Sequence, residues 1–302
     1  MVMDSNDTDH PWHASLQWGA VSHVGGLRTT NEDSYFVSDH VCLVADGMGG
    51  HAAGEVASQL VVESFDSLDD SQPLDLLAFE PLLTAINTRI RDVGSANGTS
   101  GMGTTVVGVA LISNGSGMSA VVFNVGDSRC YRLVDGVLSQ VTVDHSHVQE
   151  LMEAGDITAE QAASHPMRNV VTRALGVDPA VRADYTVLDD VTCRLLLCSD
   201  GLSGELHNDL IRGVLEDQTD PNAAALRLVE MVLAGRAPDN VTAVVVDVGF
   251  VAEHIADRGL DDTRPTPLAA SDIDITAPRA VAVGAVRASN HSVSDDSNEE
   301  TT

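Results

Sequence analysis

The sequence predicts an α+β fold in which antiparallel sheets are covered by pairs of helices. Three observations carry this expectation. Val- and Leu-rich runs bounded by Gly, Asp, Asn or Ser recur from about residue 16 to 250, as strands of a packed sheet do. "NGSG" (114–117) and "DG" (135–136) read as hairpin turns, and a tight turn joins only antiparallel neighbours. Strands and helices come in blocks, without the strict alternation of a parallel βαβ sheet.

In order, strands are expected over 16–23, 34–38, 41–45, 104–112, 118–125, 128–134, 184–188, 193–199 and 241–248. Helices are expected over 52–66, 76–93, 147–154, 158–163, 207–217 and 222–234. In the first helix Val56, Leu60 and Phe65 fall near one face. In the second, Pro81 belongs in a first turn or at a kink. The last opens on Asp220 and Pro221 and stops at Gly235. Residues 1–14 are polar and are expected to fray, leaving one domain over 15–250. Residues 251–302 are rich in Asp, Ser, Thr and Pro. Such a stretch buries too little apolar surface to offset its ordering entropy, so an acidic, disordered tail is expected.

The formal charge is −29, and every basic residue is an arginine. A surface this negative repels phosphate backbones and anionic lipids, which excludes nucleic-acid and membrane-surface partners. Salt screens its self-repulsion, so a halophilic source with a salty cytosol is expected; a GC-rich genome would deplete lysine as well. The opening "MVMDSNDTDHPWH" has no basic start or apolar run, and no stretch approaches the ~20 apolar residues of a membrane helix. Cys42, Cys130, Cys193 and Cys198 form no C-x-x-C pair and read as buried, reduced thiols. A cytoplasmic monomer is expected.

The chemistry sits at strand ends. "VCLVADGMGGH" (41–51) stops an apolar run at Asp46, and "RLLLCSDGLSG" (194–204) repeats the pattern at Asp200. "APDNVTAVVVDV" (237–248) inverts it with Asp239 before the strand, "RTTNEDSYFV" (28–37) carries Glu32 and Asp33, and "TVDHS" (142–146) carries Asp144. Taken singly, an Asp-Gly after a strand is usually only a turn. Jointly, several carboxylates can converge at one edge of a sheet core, where unpaired charge is costly. Hard divalent cations relieve that cost, and an all-oxygen donor set suits Mg²⁺ or Mn²⁺ rather than zinc. Asp46 would bridge two cations, and Gly47, lacking a side chain, would turn its carbonyl in as a further ligand.

With "RTTNED", "VADGMGGH", "GMGTT", "NVGDSR", "VDHSHVQEL", "NVVTRALG", "CSDGL" and "DNVT" in this order between 16 and 248, the chain resembles the metal-dependent type 2C protein serine/threonine phosphatases of the compact bacterial and archaeal kind. The resemblance implies a four-layer α/β/β/α sandwich with two mainly antiparallel sheets, a dinuclear Mg²⁺ or Mn²⁺ centre and phosphorylated proteins as substrates. It implies that Asp46, the Gly47 carbonyl, Asp200 and Asp239 bind metal, with Glu32 and Asp33 near the second ion, partly through waters. Asp144 with Asp200 matches a weaker third site, Arg28 matches the phosphate-gripping arginine, and 145–170 match a flap beside the site. Arg129, Arg173 and Asp127 read as structural. Animal members carry a histidine, thought to protonate the departing alcohol, where Met48 stands; His51 is a minor candidate for a chemical role. A non-catalytic regulatory module and a two-metal phosphoesterase acting on non-protein substrates are the alternatives.

Overall fold

The computed structural model describes residues 12–49, 53–68, 74–113, 118–188 and 192–252. Val251 and Ala252, expected to open the tail, instead end the last strand; the rest of the expected tail, the "NGSG" turn, Gly50 and His51 lie outside these residues. The chain runs β1 (Trp12–His23), β2 (Asp33–Val37), β3 (Val41–Met48), α1 (Ala53–Asp66), β4 (Leu74–Asp75), α2 (Leu76–Asn97), β5 (Gly103–Thr104), β6 (Val106–Ser113), β7 (Met118–Val125), β8 (Arg129–Val134) and β9 (Val137–Gln140). It continues through α3 (His147–Glu153), α4 (Ala159–Ala163), β10 (Asp184–Val187), β11 (Cys193–Cys198), α5 (Asp200–Ser203), α6 (Asn208–Asp217), α7 (Pro221–Leu233) and β12 (Val241–Ala252).

Two sheets form, β1-β12-β11-β8-β9 and β10-β7-β6-β3-β2, with β4 beside β6 and β5 beside β3. All pairings are antiparallel except that of β4 with β6. The "DG" turn joins β8 to β9 with Asp135 at φ 48° and Gly136 at φ 75°, the left-handed pair that a two-residue hairpin needs.

Period-two alternation divides the apolar residues among three cores. Val41, Leu43 and Ala45 of β3 pack with Leu60, Phe65, Leu83 and Ile86 of α1 and α2. Cys42 and Val44 point the other way and meet Leu195 and Leu197 of β11 and Val244 and Val246 of β12 between the sheets. Leu196, Ala243 and Val245 face Ile211, Leu228 and Val232 of α6 and α7. The layers are therefore α/β/β/α, as expected. The four cysteines are buried and form no disulfide. Among the described residues no helix is long and apolar enough to cross a membrane.

Several boundaries differ from the sequence reading. β1 begins at Trp12, inside the stretch expected to fray, because Trp12–Ser15 pair with Gly249–Ala252 of β12. Val56 is exposed, and Ala53, Ala57 and Val61 join Leu60 and Phe65 on the buried face of α1. Pro81 lies inside α2 rather than in its first turn. Asp220 caps α7, accepting the Ala223 N–H at 2.7 Å, with Pro221 as its first residue.

Candidate metal centre

The register of the β2–β3 pair sets Asp33 directly opposite Asp46. β3 then passes so close to α1 that a Cβ on Gly47 would lie 2.1 Å from the Gly54 carbonyl oxygen and 2.6 Å from that of Glu32. Only glycine fits there. The Gly47 N–H donates to the Glu32 carbonyl at 3.1 Å, which ties the two acidic segments together. From the other sheet, β11 ends in Ser199 and delivers Asp200 at the start of α5, while Asp239 stands just before β12.

Asn240 fixes the loop that carries Arg28 and Glu32. Its amide donates to the Val24 and Thr30 carbonyls at 3.0 and 2.9 Å, and its Oδ1 accepts the Glu32 N–H at 2.9 Å. Arg28 reaches back to Asp239 at 2.8 Å with its side chain 49% exposed. Burial works against the Arg28 charge, but Asp239, then Glu32 and Asp46, more than offset it and raise its pKa.

The acids lie in one another's field. Burial, then Asp33, Asp200, Asp127 and Asp239, hold the Asp46 carboxyl well above the usual range. Burial also raises Asp33 to about 7; hydrogen bonds from Thr242 and Ser199 oppose the rise, and Asp200 and Asp239 add to it. Asp200 is raised by burial and Asp239, against a hydrogen bond with Asp46 and the pull of Arg28. Asp127 rises to about 7 through burial, Asp200 and Asp144.

Two acids have partners that the sequence did not show. Arg129 grips Asp144, donating from Nε at 2.9 and 3.0 Å and from a terminal nitrogen at 2.6 Å, and Gln140 adds a bond at 2.9 Å. Asp127, read as a turn residue, is also a buried acid in the field of Asp46 and Asp200. Its burial has no signature in the local "NVGDSR" stretch. His145, next to Asp144, is buried; its Nδ1 accepts the Gly126 N–H at 3.0 Å, so Nε2 carries the ring proton and faces Asp184 at 3.2 Å. The segment it opens, expected to be a flap, is tied together at its base by Thr172 N–H to the His145 carbonyl at 2.8 Å and His147 N–H to that of Val170 at 2.9 Å.

The donor chemistry fits divalent cations. Four buried or half-buried aspartates face one half-exposed arginine, and Asp33 Oδ1 is buried with no hydrogen-bond partner. Among the described residues no group of three or more His, Cys, Asp or Glu side chains is placed to hold a metal ion as it stands, so the fit rests on the oxygen donors and their uncompensated charge.

The sign of the pKa shifts gives a pH dependence. Asp33 and Asp127 titrate near 7 when folded, against 3.8 ordinarily, so between these values the folded chain holds more protons than the unfolded chain. Stability then falls as pH rises through that window. In EDTA the melting temperature is expected to drop from pH 5 to pH 8, and saturating Mn²⁺ is expected to flatten the drop. A melting temperature in EDTA that climbs over this range would contradict the assignment.

The protein phosphatase 2C family profile matches residues 28–232, and the chain belongs to that family. It is 43% identical over 241 residues to the serine/threonine protein phosphatase PstP of Mycobacterium tuberculosis, covering 77% of this chain and 45% of that protein. The chain thus spans about half the length of that relative. It is 35% identical over 239 residues to the serine/threonine phosphatase stp of Listeria welshimeri, covering 74% of this chain and 92% of the relative. A crystal structure of the PstP catalytic domain in complex with 2 manganese ions superposes with a TM-score of 0.69 at 39% identity, covering 78% of this chain and 99% of that one.

Proposed function

We propose that this chain is a metal-dependent protein serine/threonine phosphatase hydrolysing phosphoserine and phosphothreonine. The observation that carries the reading is the convergence of Asp33, Asp46, Asp200 and Asp239, with Arg28 at their exposed edge, from segments up to 211 residues apart. Asp46, the Gly47 carbonyl, Asp200 and Asp239 would hold two Mg²⁺ or Mn²⁺ ions, with Glu32 and Asp33 close by. When bound, such ions lower the pKa of a water and neutralise charge building on phosphoryl oxygens.

The chain's own groups do the positioning. Arg28 offers its guanidinium to two phosphate oxygens. Asn240 holds the Arg28–Glu32 loop at a fixed distance from Asp239. Met48 has no proton to give, so the departing alcohol draws its proton from water in the site. A third, weaker ion would sit with Asp200 and Asp127, since Arg129 already neutralises Asp144. The buried thiols and the charge of −29 support a reducing, salty cytoplasm; phosphoproteins are the partners and a monomer the working unit.

The test is hydrolysis of p-nitrophenyl phosphate, a phosphothreonine peptide and bis(p-nitrophenyl) phosphate with Mn²⁺. Turnover of both monoesters, loss in EDTA and little diester cleavage are expected. Absence of Mn²⁺-dependent monoester turnover would contradict the reading, and a preference for the diester would favour another two-metal phosphoesterase.

A further inference from the structure

Behind Asp33 lies a closed ring of hydrogen bonds whose direction is fixed by proton counting. Thr242 Oγ1 lies 2.7 Å from Asp33 Oδ2 and 2.8 Å from Ser22 Oγ. Thr242 donates its single hydroxyl proton to Asp33 Oδ2. Ser22 must then donate to Thr242. Ser22 in turn accepts from the Asn31 Nδ2 amide at 2.8 Å, and Asn31 Oδ1 accepts the Asp33 N–H at 3.2 Å. The ring therefore runs Asn31, Ser22, Thr242, Asp33 and back to Asn31.

A branch enters from the third segment. Ser199 Oγ donates to the same Asp33 Oδ2 at 2.8 Å and accepts the Thr242 N–H at 3.0 Å. Ser199 and Thr242 are fully buried, and Ser22 is nearly so. Two hydroxyls are thus fastened to one oxygen of Asp33. Its other oxygen, Oδ1, is buried and accepts nothing, and the groups sharing that carboxylate's field are Asp46, Asp200 and Asp239. Ser22 and Thr242 are cross-strand partners of β1 and β12, so rigid sheet backbone sets the ring. Each member polarises the next, and such networks stiffen cooperatively.

We propose that Thr242, with Ser199 and Ser22 behind it, is a positioning residue of the metal centre: the hydroxyl ring holds Asp33 Oδ2 and leaves Oδ1 free for the ion side. The inference rests on the phosphatase reading and adds residues that touch neither ion nor phosphate. Groups of this kind commonly change metal affinity by about 10- to 100-fold when lost.

The test is calorimetric titration of the full chain with Mn²⁺ alone, comparing wild type, Thr242→Val and Thr242→Ser, alongside steady-state kinetics on a phosphopeptide at saturating Mn²⁺. Thr242→Val keeps the shape and removes the hydroxyl. Its Mn²⁺ affinity is expected to fall about 10- to 100-fold, with kcat lowered and KM for the peptide unchanged. Thr242→Ser restores the hydroxyl and should bind like wild type. A Thr242→Val protein that binds Mn²⁺ as wild type does, or a Thr242→Ser protein as weak as Thr242→Val, overturns the inference while leaving the phosphatase reading in place. Wild type that takes up no Mn²⁺ overturns both. Should Thr242→Val fail to fold, Ser22→Ala makes the same test from the far end of the ring: about a fivefold loss, the worth of one hydrogen bond, supports the inference, and an unchanged affinity overturns it.

Discussion

Asp46→Asn should abolish hydrolysis and, in the same tube, make the metal-free protein more stable. Both effects have one cause. Asp46 is half-buried and lies in the field of Asp33, Asp200, Asp127 and Asp239. With no cation to offset that field, a charge there is a liability, and replacing it by a neutral group of the same shape should stabilise the metal-free fold. With cations, the same carboxylate is the group that would bridge them. Its removal should cost at least about 10³-fold in kcat/KM, beyond the ~10- to 100-fold typical of a group that only supports a ligand. Two measurements check this: phosphopeptide turnover with Mn²⁺, and urea unfolding in EDTA. An Asn variant that is less stable in EDTA, or that still turns over substrate within tenfold of wild type, would contradict the account.

Arg28→Ala should show the opposite division. Its ion pair with Asp239 is solvent-exposed on both sides, with side chains 49% and 36% accessible. Such pairs contribute about 0–1 kcal/mol, so the melting temperature should hardly move. Activity should fall steeply, because a charge-assisted fork aimed at phosphate oxygens contributes most where charge develops. The loss expected for one such donor is about 10²- to 10³-fold in kcat/KM. Arg28→Lys keeps the charge but loses the planar two-pronged donor, and should recover only part of the loss. If the Ala variant hydrolyses phosphopeptide at near the wild-type rate, Arg28 is a surface charge and not a phosphate ligand.

The four-layer fold was legible because its central strands declare themselves. β11 and β12 are nearly continuous Val and Leu runs, as strands buried on both faces must be, and Asp46 and Asp200 end such runs at glycine-rich turns. What escaped was short or exposed. β9 is a four-residue edge strand with its side chains mostly in solvent, and α5 is a single turn that carries Asp200 itself. Helical spacing also placed Val56 on the buried face of α1, where small alanines alongside Leu60 and Phe65 make the actual contact.

At the site, residue identity could be read but partnership could not. Nothing near "TVDHS" says that Arg129, fifteen residues earlier, will engage Asp144 on both oxygens. Nothing near "NVGDSR" says that Asp127 will be buried beside Asp46 and Asp200. The hydroxyls on Asp33 come from positions 166 and 209 residues away, distances at which one sequence carries no pairing signal.

The central claim is that these distant carboxylates meet to hold a pair of divalent ions. Crystals grown with Mn²⁺ and measured at the manganese absorption edge test it most directly. Two anomalous peaks lying among Asp46, Asp200 and Asp239, with Asp46 in contact with both, are the predicted result. A well-ordered crystal of the intact fold with no manganese peak at these aspartates would contradict it.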